Sequence, residues 1–370
     1  MEGDLVRINE WLLPLSWFYG KGVAVRNALF DMGVLKSKHY DIPIINVGNL
    51  TVGGTGKTPH TEYLIRLLSP TYRVAVLSRG YKRKSKGYVL ATPESTVEDI
   101  GDEPWQMRQK FPDIYIAVDR DRCHGIERLC NDEATRDVDV ILLDDAFQHR
   151  YVQPGLNILL VDYHRMVTDD RLLPAGRLRE PKESMVRANM VVVTKCPHDI
   201  KPMGYRVIEK VLGLMPCQDL FYSTFRYGRL RRLFGEGYRE MDSVGKNDHV
   251  MLLTGIASPE QMRIDLSRYT PNITPLAFPD HHYFSEEDIE QINHQFASLP
   301  QPRIIITTEK DSTRLRALKG LSDLVRHNLY VLPVEVEIMR DKTDNFNSKI
   351  IGYVRENPRN RSLAQSQTEQ

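Results

Sequence analysis

The chain has 370 residues, enough for two or three domains and a sizeable core. Basic residues number 50 and acidic residues 49, a formal net charge of +1, and this balance argues against a nucleic-acid-binding protein. Apolar residues make up 41% and charged residues 27%, which excludes collagen-like and wholly disordered chains. None of the four cysteines forms a C-x-x-C pair, which argues against a zinc ribbon or a thioredoxin-type site.

Residues 1–40 combine leucines at helical spacing with tryptophans, Phe18 and interspersed cations. One interpretation is a helix packed on the main domain. The other is a helix at a membrane interface, with aromatic and leucine side chains in the headgroup region and cations in water. No run of about 18 apolar residues occurs, so no membrane-spanning helix is predicted. The acidic start, with Glu2 and Asp4, does not fit an export signal.

From residue 42 onward, short apolar segments alternate with amphipathic ones. The predicted strands are Ile42–Val47, Arg73–Ser78, Ile114–Val118, Val138–Leu143, Asn157–Asp162 and Met190–Thr194. Their nearly continuous apolar character is typical of strands buried on both faces. Helices such as Thr61–Leu68 and Asp121–Leu129 lie between them. This alternation predicts a doubly wound parallel α/β sheet.

A second, smaller α/β domain is predicted after a cluster of arginines. Its strands are Val250–Thr254 and Ile304–Thr307, and the helix between them starts with Ser285 as the N-cap and Asp288 three residues on. A last strand, Tyr330–Val336, fits either domain. The predicted boundaries are 1–40 for the N-terminal helical segment at the membrane interface, 41–225 for the larger core domain, 226–328 for the smaller domain, 329–356 for a return strand and helix, and 357–370 for a polar tail.

A glycine-rich segment, N-V-G-N-L-T-V-G-G-T-G-K-T at residues 46–58, lies between the first predicted strand and helix. This is the context of a phosphate-binding P-loop, whose backbone N–H groups and helix start surround the phosphates. Lys57 is expected to reach the β- and γ-phosphates and Thr58 to offer its hydroxyl to Mg²⁺. The chain departs from the general consensus at Thr51, where glycine is usual. The predicted nucleotide-binding residues are Thr51, Val52, Gly53, Gly54, Thr55, Gly56, Lys57 and Thr58.

Two acidic pairs accompany this loop. The predicted strand Val138–Leu143 ends in Asp144-Asp145, as a strand that presents a carboxylate to Mg²⁺ does. The sequence leaves open how the two acids share that work. Asp102-Glu103 fits the carboxylate that an alcohol kinase needs near the acceptor hydroxyl, although the pattern alone does not distinguish this pair from surface acids.

Two further motifs bear on function. Asp280-His281-His282 fits a metal site, an acid/base relay or a loop before a helix; with no third ligand nearby, zinc is disfavoured. Thr194-Lys195-Cys196-Pro197 lies where a guanine-binding N-K-x-D motif would lie. The position of its aspartate is occupied by Pro197. The sequence therefore favours ATP over GTP.

In these blocks the sequence resembles the tetraacyldisaccharide 4′-kinase, or lipid A 4′-kinase, family. The blocks that carry the resemblance are residues 47–59 (V-G-N-L-T-V-G-G-T-G-K-T-P), 78–81 (S-R-G-Y), 101–104 (G-D-E-P), 144–149 (D-D-A-F-Q-H), 173–181 (L-P-A-G-R-L-R-E-P), 278–282 (F-P-D-H-H) and 308–311 (T-E-K-D). Thr51 agrees with the family pattern, and Ala146 stands where the family more often has glycine.

The resemblance implies a P-loop NTPase-type parallel sheet flanked by helices, with a second, smaller α/β domain that completes the cleft. It implies an ATP- and Mg²⁺-dependent kinase that transfers the γ-phosphate of ATP to the 4′-hydroxyl of tetraacyldisaccharide 1-phosphate, forming lipid IVA in lipid A biosynthesis. The implied setting is peripheral, on the cytoplasmic face of the inner membrane of a Gram-negative bacterium. The partner is the acylated lipid substrate, and no obligate protein partner is predicted.

The resemblance also implies roles for single residues. Asp102 is the expected base on the 4′-hydroxyl, oriented by His281, and Lys57 and Arg177 complete the catalytic set, with Arg177 stabilising transition-state charge. The expected metal ligands are Thr58, Glu103, Asp144 and Asp145. The other site-lining residues are Gln148, His149 and Asp280.

The sequence leaves two alternative functions open. One is a P-loop kinase of a soluble sugar or cofactor, which would not need the aromatic N-terminal segment. The other is a nucleotide-switch NTPase that acts on a protein partner, which would hydrolyse nucleotide without an acceptor.

Overall fold

The structure is a computed structural model that describes residues 8–256, 259–279, 282 and 284–360. Its helices are α1 (Leu13–Asp31), α2 (Lys57–Leu68), α3 (Val97–Ile100), α4 (Asp102–Lys110), α5 (Arg122–Asn131), α6 (Pro202–Leu212), α7 (Glu260–Leu266), α8 (Glu286–Ser298), α9 (Glu309–Arg316), α10 (Asp323–Asn328) and α11 (Thr343–Glu356). Its strands are β1 (Ile44–Asn49), β2 (Val74–Ser78), β3 (Val89–Leu90), β4 (Tyr115–Val118), β5 (Val140–Asp144), β6 (Leu156–Asp162), β7 (Met190–Thr194), β8 (Asp219–Tyr227), β9 (Leu230–Arg232), β10 (Tyr238–Arg239), β11 (His249–Thr254), β12 (Ile273–Ala277), β13 (Arg303–Thr308), β14 (Leu329–Leu332) and β15 (Val334–Ile338).

The larger sheet has nine strands in the order β15-β8-β7-β6-β1-β5-β2-β4-β3. The seven neighbouring strands from β8 to β4 pair in parallel, and the short edge strand β3 is antiparallel. The register places Val47 of β1 opposite Asp144 of β5, and Leu77 of β2 opposite Leu143. The carboxyl ends of β1, β5, β2 and β4 therefore lie side by side at one edge of the sheet.

Helices cover both faces of this sheet. On β1, Ile45 and Val47 pack with Leu64 of α2, whereas Ile44 packs with Ile126 of α5 in a different cluster. Successive strand residues point to opposite faces, so apolar residues at every position give a strand that is buried on both sides. This accounts for the continuous apolar runs in the sequence and confirms the predicted α/β class.

The smaller sheet has six strands in the order β10-β9-β14-β13-β11-β12 and belongs to a separate compact unit, Arg226–Glu335. Its helix α8 begins as the sequence predicts. The Ser285 hydroxyl accepts from the Asp288 backbone N–H, and the Asp288 carboxylate accepts from the Ser285 N–H, which is a capping box. The predicted last strand is two strands, β14 in the smaller sheet and β15 in the larger one.

Helix α1 has one attached face and one exposed face. The Ser16 hydroxyl donates to the Leu172 carbonyl and accepts from the Ala175 N–H, and the Tyr19 hydroxyl donates to the Arg179 carbonyl, all over 2.9 Å. Large apolar side chains of this region, including the 93% exposed Trp11, are left in contact with solvent. Within the described residues, no helix is both long enough and apolar enough to cross a membrane.

Candidate active site

The loop between β1 and α2 forms the centre of the site. Gly53 and Gly56 have φ of 117° and 86°, in the left-handed range that favours glycine. The Asn49 side chain, buried at the end of β1, donates to the Thr55 hydroxyl over 2.7 Å. No side chain of the described residues caps the start of α2 at Lys57. Its first N–H groups are therefore free to bind an anion.

The segment that carries Arg177 lies against this loop. The Val52 N–H donates to the Arg177 carbonyl over 2.7 Å, and Thr51 and Leu178 form an antiparallel bridge. One guanidinium nitrogen of Arg177 is 3.8 Å from the position that a Cβ on Gly53 would occupy. The cation of Arg177 is thus within reach of a phosphate bound in the loop.

Asp145 follows β5 and pairs with two cations of the site, Lys57 and Arg179. Its φ of 52° turns the chain out of the strand. Its carboxylate lies 3.7 Å from Lys57 Nζ and accepts from two guanidinium nitrogens of Arg179 over 2.7 and 3.1 Å. Burial on its own would raise the pKa of Asp145, but Lys57 and Arg179 together hold that pKa well below its usual range. Asp145 is therefore ionised at neutral pH.

Asp144, one residue earlier, lies in a different environment. It is 1% exposed, and one carboxylate oxygen accepts from the Ser78 hydroxyl over 3.3 Å. The other oxygen, Oδ1, is buried and has no hydrogen-bond partner among the described residues. Burial, followed by the negative charges of Glu103 and Asp145, raises the pKa of Asp144 to about 7. An unpartnered buried carboxylate oxygen is what a hard cation such as Mg²⁺ would satisfy.

Asp102 and Glu103 are the first two residues of α4. Gly101 precedes them at φ 91°, and a side chain there would come within 3.0 Å of the Tyr81 carbonyl. Glu103 is close enough to Asp144 to raise the pKa of that carboxyl. The predicted acidic pair thus lies at the same edge of the sheet as the P-loop.

Gln148 and His149 follow β5 in the chain, and Gln148 contacts the end of β1. The Gln148 side chain donates to the Asn49 carbonyl over 2.8 Å. Burial, together with the nearby positive charge of Arg122, lowers the pKa of His149 to about 4. His149 is therefore neutral at physiological pH, with Nε2 3.8 Å from a carboxylate oxygen of Asp121.

Comparison with known proteins identifies the family. The sequence profile described as "LpxK: Tetraacyldisaccharide-1-P 4′-kinase" matches residues 8–354. The chain belongs to this kinase family.

Relatives named tetraacyldisaccharide 4′-kinase cover nearly the whole chain. The relative from Phocaeicola vulgatus is 57% identical over 366 residues, which is 98% of this chain and all of the relative. The relative from Bacteroides fragilis is 55% identical over 368 residues, 98% of each chain. The crystal structure described as "apo" form LpxK from Aquifex aeolicus in complex with ATP is 31% identical, with a TM-score of 0.70, and the match covers 93% of this chain and 98% of that one. These findings confirm the predicted family, fold class and enzyme class, and they favour neither the soluble-substrate kinase nor the nucleotide switch.

The structure adds residues to this kinase's site that the sequence reasoning did not assign. Arg122 starts α5, is 3% exposed and lies near both Asp144 and Asp145; burial lowers the pKa of its guanidinium to about 10. Arg179 pairs with Asp145, and Ser78 with Asp144. Ser78 and Arg179 belong to blocks that carry the family resemblance, so position in those blocks was an available signal. Arg122 lies outside those blocks, and no pattern in the sequence indicated that it would be buried.

Asp280 and His281 lie outside the described residues, as does the contact predicted between His281 and Asp102. Their described neighbour His282 places Nε2 2.8 Å from the Asp288 carboxylate, within the capping box of α8. Of the three interpretations of this motif, helix capping accounts for His282.

Proposed function

We propose that the protein transfers the γ-phosphate of ATP to the 4′-hydroxyl of tetraacyldisaccharide 1-phosphate, giving lipid IVA. The observation that carries the proposal is the position of Lys57 and Asp145. Lys57 Nζ, in the P-loop, lies 3.7 Å from a carboxylate oxygen of Asp145, the residue after β5, in a chain of this kinase family. The substrates of the named relatives, and the ATP of the related crystal structure, agree with this assignment.

The P-loop would hold the nucleotide. Residues Thr51 to Thr58 would surround the phosphates and bind them through backbone N–H groups that are not already bonded, with Lys57 on the β- and γ-phosphates. The Val52 and Thr55 N–H groups are not among these, since they donate to the Arg177 and Gly53 carbonyls. The positive end of α2 would add to this field. Because Lys57 pairs with Asp145 and Asp145 pairs with Arg179, the loop cation is held in place before the nucleotide arrives.

Mg²⁺ would be held by the Thr58 hydroxyl together with Asp144, Asp145 and Glu103. All of these donors are oxygens, which Mg²⁺ prefers, and Asp144 has an unpartnered buried oxygen. When bound, the ion would neutralise charge on the phosphates.

Asp102 would accept the proton of the 4′-hydroxyl as that oxygen attacks the γ-phosphorus. The new O–P bond forms while the bond between the γ-phosphorus and the bridging oxygen breaks, and ADP leaves. Arg177 would stabilise the charge on the transferred group. His281 would orient Asp102, and Gln148, His149 and Asp280 would line the acceptor site.

We place the protein on the cytoplasmic face of the inner membrane, attached peripherally through residues 1–40. Trp11, Leu15, Trp17 and Phe18 expose their side chains, and Lys21 Nζ lies 5.2 Å from the centre of the Trp17 ring. This mixture of aromatic and cationic groups suits a headgroup interface. In the proposed division, residues 41–225 form the kinase core and 226–328 the domain that completes the cleft; a return strand and helix (329–356) and a polar tail (357–370) follow.

The test is transfer from γ-labelled ATP, with Mg²⁺, to tetraacyldisaccharide 1-phosphate in mixed micelles, with a reaction that lacks the lipid as the control. We expect label in the lipid and little free phosphate without it. Equal release of free phosphate with and without lipid would overturn the proposal and favour a nucleotide switch.

A further inference from the structure

A buried histidine on α2 contacts the backbone of the P-loop. His60 is 4% exposed, and its Nδ1 lies 2.7 Å from the Gly56 carbonyl oxygen while its Nε2 lies 2.9 Å from the Ser223 hydroxyl on β8. A carbonyl oxygen only accepts, so Nδ1 carries the hydrogen and Nε2 accepts from Ser223. Burial disfavours the charged imidazolium. The two partners of the ring therefore fix one neutral tautomer.

The preceding carbonyl is held in a similar way. The Thr194 hydroxyl, at the end of β7, donates to the Thr55 carbonyl over 2.9 Å. A side chain at Gly56 would come within 3.0 Å of the Phe225 ring, so the chain is also confined there. The last two carbonyls before Lys57 are thus each fixed by a side chain, one from β7 directly and one through His60 from β8.

Fixing a carbonyl also fixes the next N–H group. The peptide unit is planar and trans, so the C=O of one residue and the N–H of the next point in opposite directions. The Gly56 carbonyl also accepts the helical bond from the His60 backbone N–H over 3.2 Å. The bond from His60 Nδ1 acts together with that bond to fix the direction of the Lys57 N–H, and the bond from Thr194 to the Thr55 carbonyl fixes that of the Gly56 N–H. Inward N–H groups of this loop are the groups that bind phosphate in P-loops.

We propose that His60 is a positioning residue for phosphoryl transfer, which holds the Gly56–Lys57 peptide with its N–H directed at the nucleotide phosphates. The inference rests on the proposed assignment of this loop as the ATP site. His60 itself touches neither substrate. Its loss would weaken the binding of ATP and leave the binding of the lipid unchanged, because the loop would have to order when the nucleotide binds.

The competing explanation is that His60 only fills space in the core, and three variants separate the two. His60→Leu fills the site but makes neither hydrogen bond. His60→Asn keeps a donor for the carbonyl four residues back, a bond that Asn328 makes elsewhere in this chain over 2.8 Å. Ser223→Ala deletes one oxygen and leaves the ring in place without its second partner.

The chain also offers a matched control. His327 on α10 makes the same type of bond, from Nδ1 to the Asp323 carbonyl four residues back, over 2.7 Å, but it is exposed. His327→Leu removes an equivalent bond without changing the P-loop.

The experiment measures the dissociation constant of ATP by calorimetry, the KM for ATP, the KM for tetraacyldisaccharide 1-phosphate and the melting temperature of the full-length chain without nucleotide. For His60→Leu we expect the dissociation constant and the KM for ATP to rise about tenfold, and the KM for the lipid to change by less than about twofold. His60→Asn should recover most of the ATP affinity, Ser223→Ala should fall between wild type and His60→Leu, and His327→Leu should match wild type.

An unchanged ATP affinity in His60→Leu, with only a lower melting temperature, would overturn the proposal in favour of packing. If His60→Leu does not fold, Ser223→Ala decides: weaker ATP binding supports the proposal and unchanged binding overturns it. Lys57→Ala distinguishes this failure from failure of the proposed function. If Lys57→Ala leaves ATP binding intact, the nucleotide site itself is wrongly assigned; if it weakens binding while His60→Leu and Ser223→Ala do not, only the role of His60 is wrong.

Discussion

The surroundings of two adjacent aspartates at the end of β5 shift their pKa values in opposite directions. The Asp145 carboxylate contacts Lys57 and Arg179, and these cations outweigh the effect of burial. Asp144 is buried beside Ser78 and near Glu103, so burial and like charge both favour its protonated form. Neighbouring acids whose pKa values are separated can take separate roles. Asp145 pairs with Lys57 and Arg179, whereas Asp144 has a buried oxygen with no hydrogen-bond partner among the described residues.

The pKa of Asp144 predicts a pH-dependent affinity for Mg²⁺. Because the pKa of Asp144 is raised, its carboxyl takes up a proton at a higher pH than an ordinary aspartate does, and the ion must then displace that proton. The half-saturating Mg²⁺ concentration, measured from turnover at saturating ATP, should therefore rise as the pH falls from 8 to 6, approaching about tenfold per pH unit below the pKa. Asp144→Asn should bind Mg²⁺ more weakly and lose this dependence. The same half-saturating concentration at pH 6 and pH 8 in wild type would contradict the raised pKa of Asp144, and an unchanged Mg²⁺ affinity in Asp144→Asn would show that Asp144 is not a ligand.

The proposed role of Asp102 as the base predicts a loss of transfer without a loss of ATP binding. Asp102→Asn should lower the rate of phosphoryl transfer by about 10²- to 10⁴-fold, because the proton acceptor is lost, while ATP affinity should change little because the P-loop is intact. Lys57→Ala should lower both. The measurements are single-turnover transfer to the lipid and ATP binding by calorimetry. Glu98→Gln is the control, since Glu98 is an exposed acid paired with Lys84. Near-normal transfer by Asp102→Asn would remove Asp102 from the base role.

At the scale of elements, the core strands were predictable because burial on both faces leaves continuous apolar runs. The ends of these strands were less predictable. Strand β1 is Ile44–Asn49, whereas Ile42–Val47 was predicted, because Asn49 is polar yet is buried in a hydrogen bond to Thr55 that only the fold reveals. The two-residue edge strand β3 left no periodic signal. The predicted strand Tyr330–Val336 divides at Pro333, whose lack of an N–H prevents continued pairing.

A buried carboxylate links the helix that follows the P-loop to the helix that begins with Asp102. Glu62 of α2 is 1% exposed and accepts from Lys110 over 2.6 Å and from Gln106 over 3.0 Å, both on α4. Glu62→Gln should lower the free energy of unfolding by about 2 kcal/mol, because it removes the buried negative charge that pairs with Lys110 and Arg66. Urea unfolding measures this.

The matched control for Glu62 is Glu127→Gln. Glu127 also forms a 2.6 Å pair with a lysine, Lys38, but both side chains are exposed, so the loss should stay below about 1 kcal/mol. Equal losses in the two variants would mean that burial of Glu62 does not strengthen the link between α2 and α4.

At the scale of the molecule, the site is assembled from segments far apart in the chain. Motifs identified Lys57 because it ends a glycine-rich loop between a strand and a helix, and Asp144 and Asp145 because they stand at the end of an apolar strand. The position of Arg122 in the site was not predicted, because its burial follows from the strand order β1-β5-β2-β4. That order places the residues after β4 near those after β5. Local periodicity predicts strands, but sheet order depends on packing over the whole domain, so side chains that the order brings together could not be predicted.

The exposed aromatic side chains of the N-terminal region are expected to bind the membrane. Replacing Trp11, Trp17 and Phe18 with serine should lower binding to vesicles of phosphatidylethanolamine and phosphatidylglycerol by at least about tenfold, since burying each aromatic side chain contributes roughly 1.5–3 kcal/mol. Because these side chains are exposed, the melting temperature should change little. Tyr238→Ser, which removes an aromatic side chain that is 69% exposed in the smaller unit, is the control. Cosedimentation measures binding; equal binding by the triple variant and wild type would place the membrane contact elsewhere on the protein.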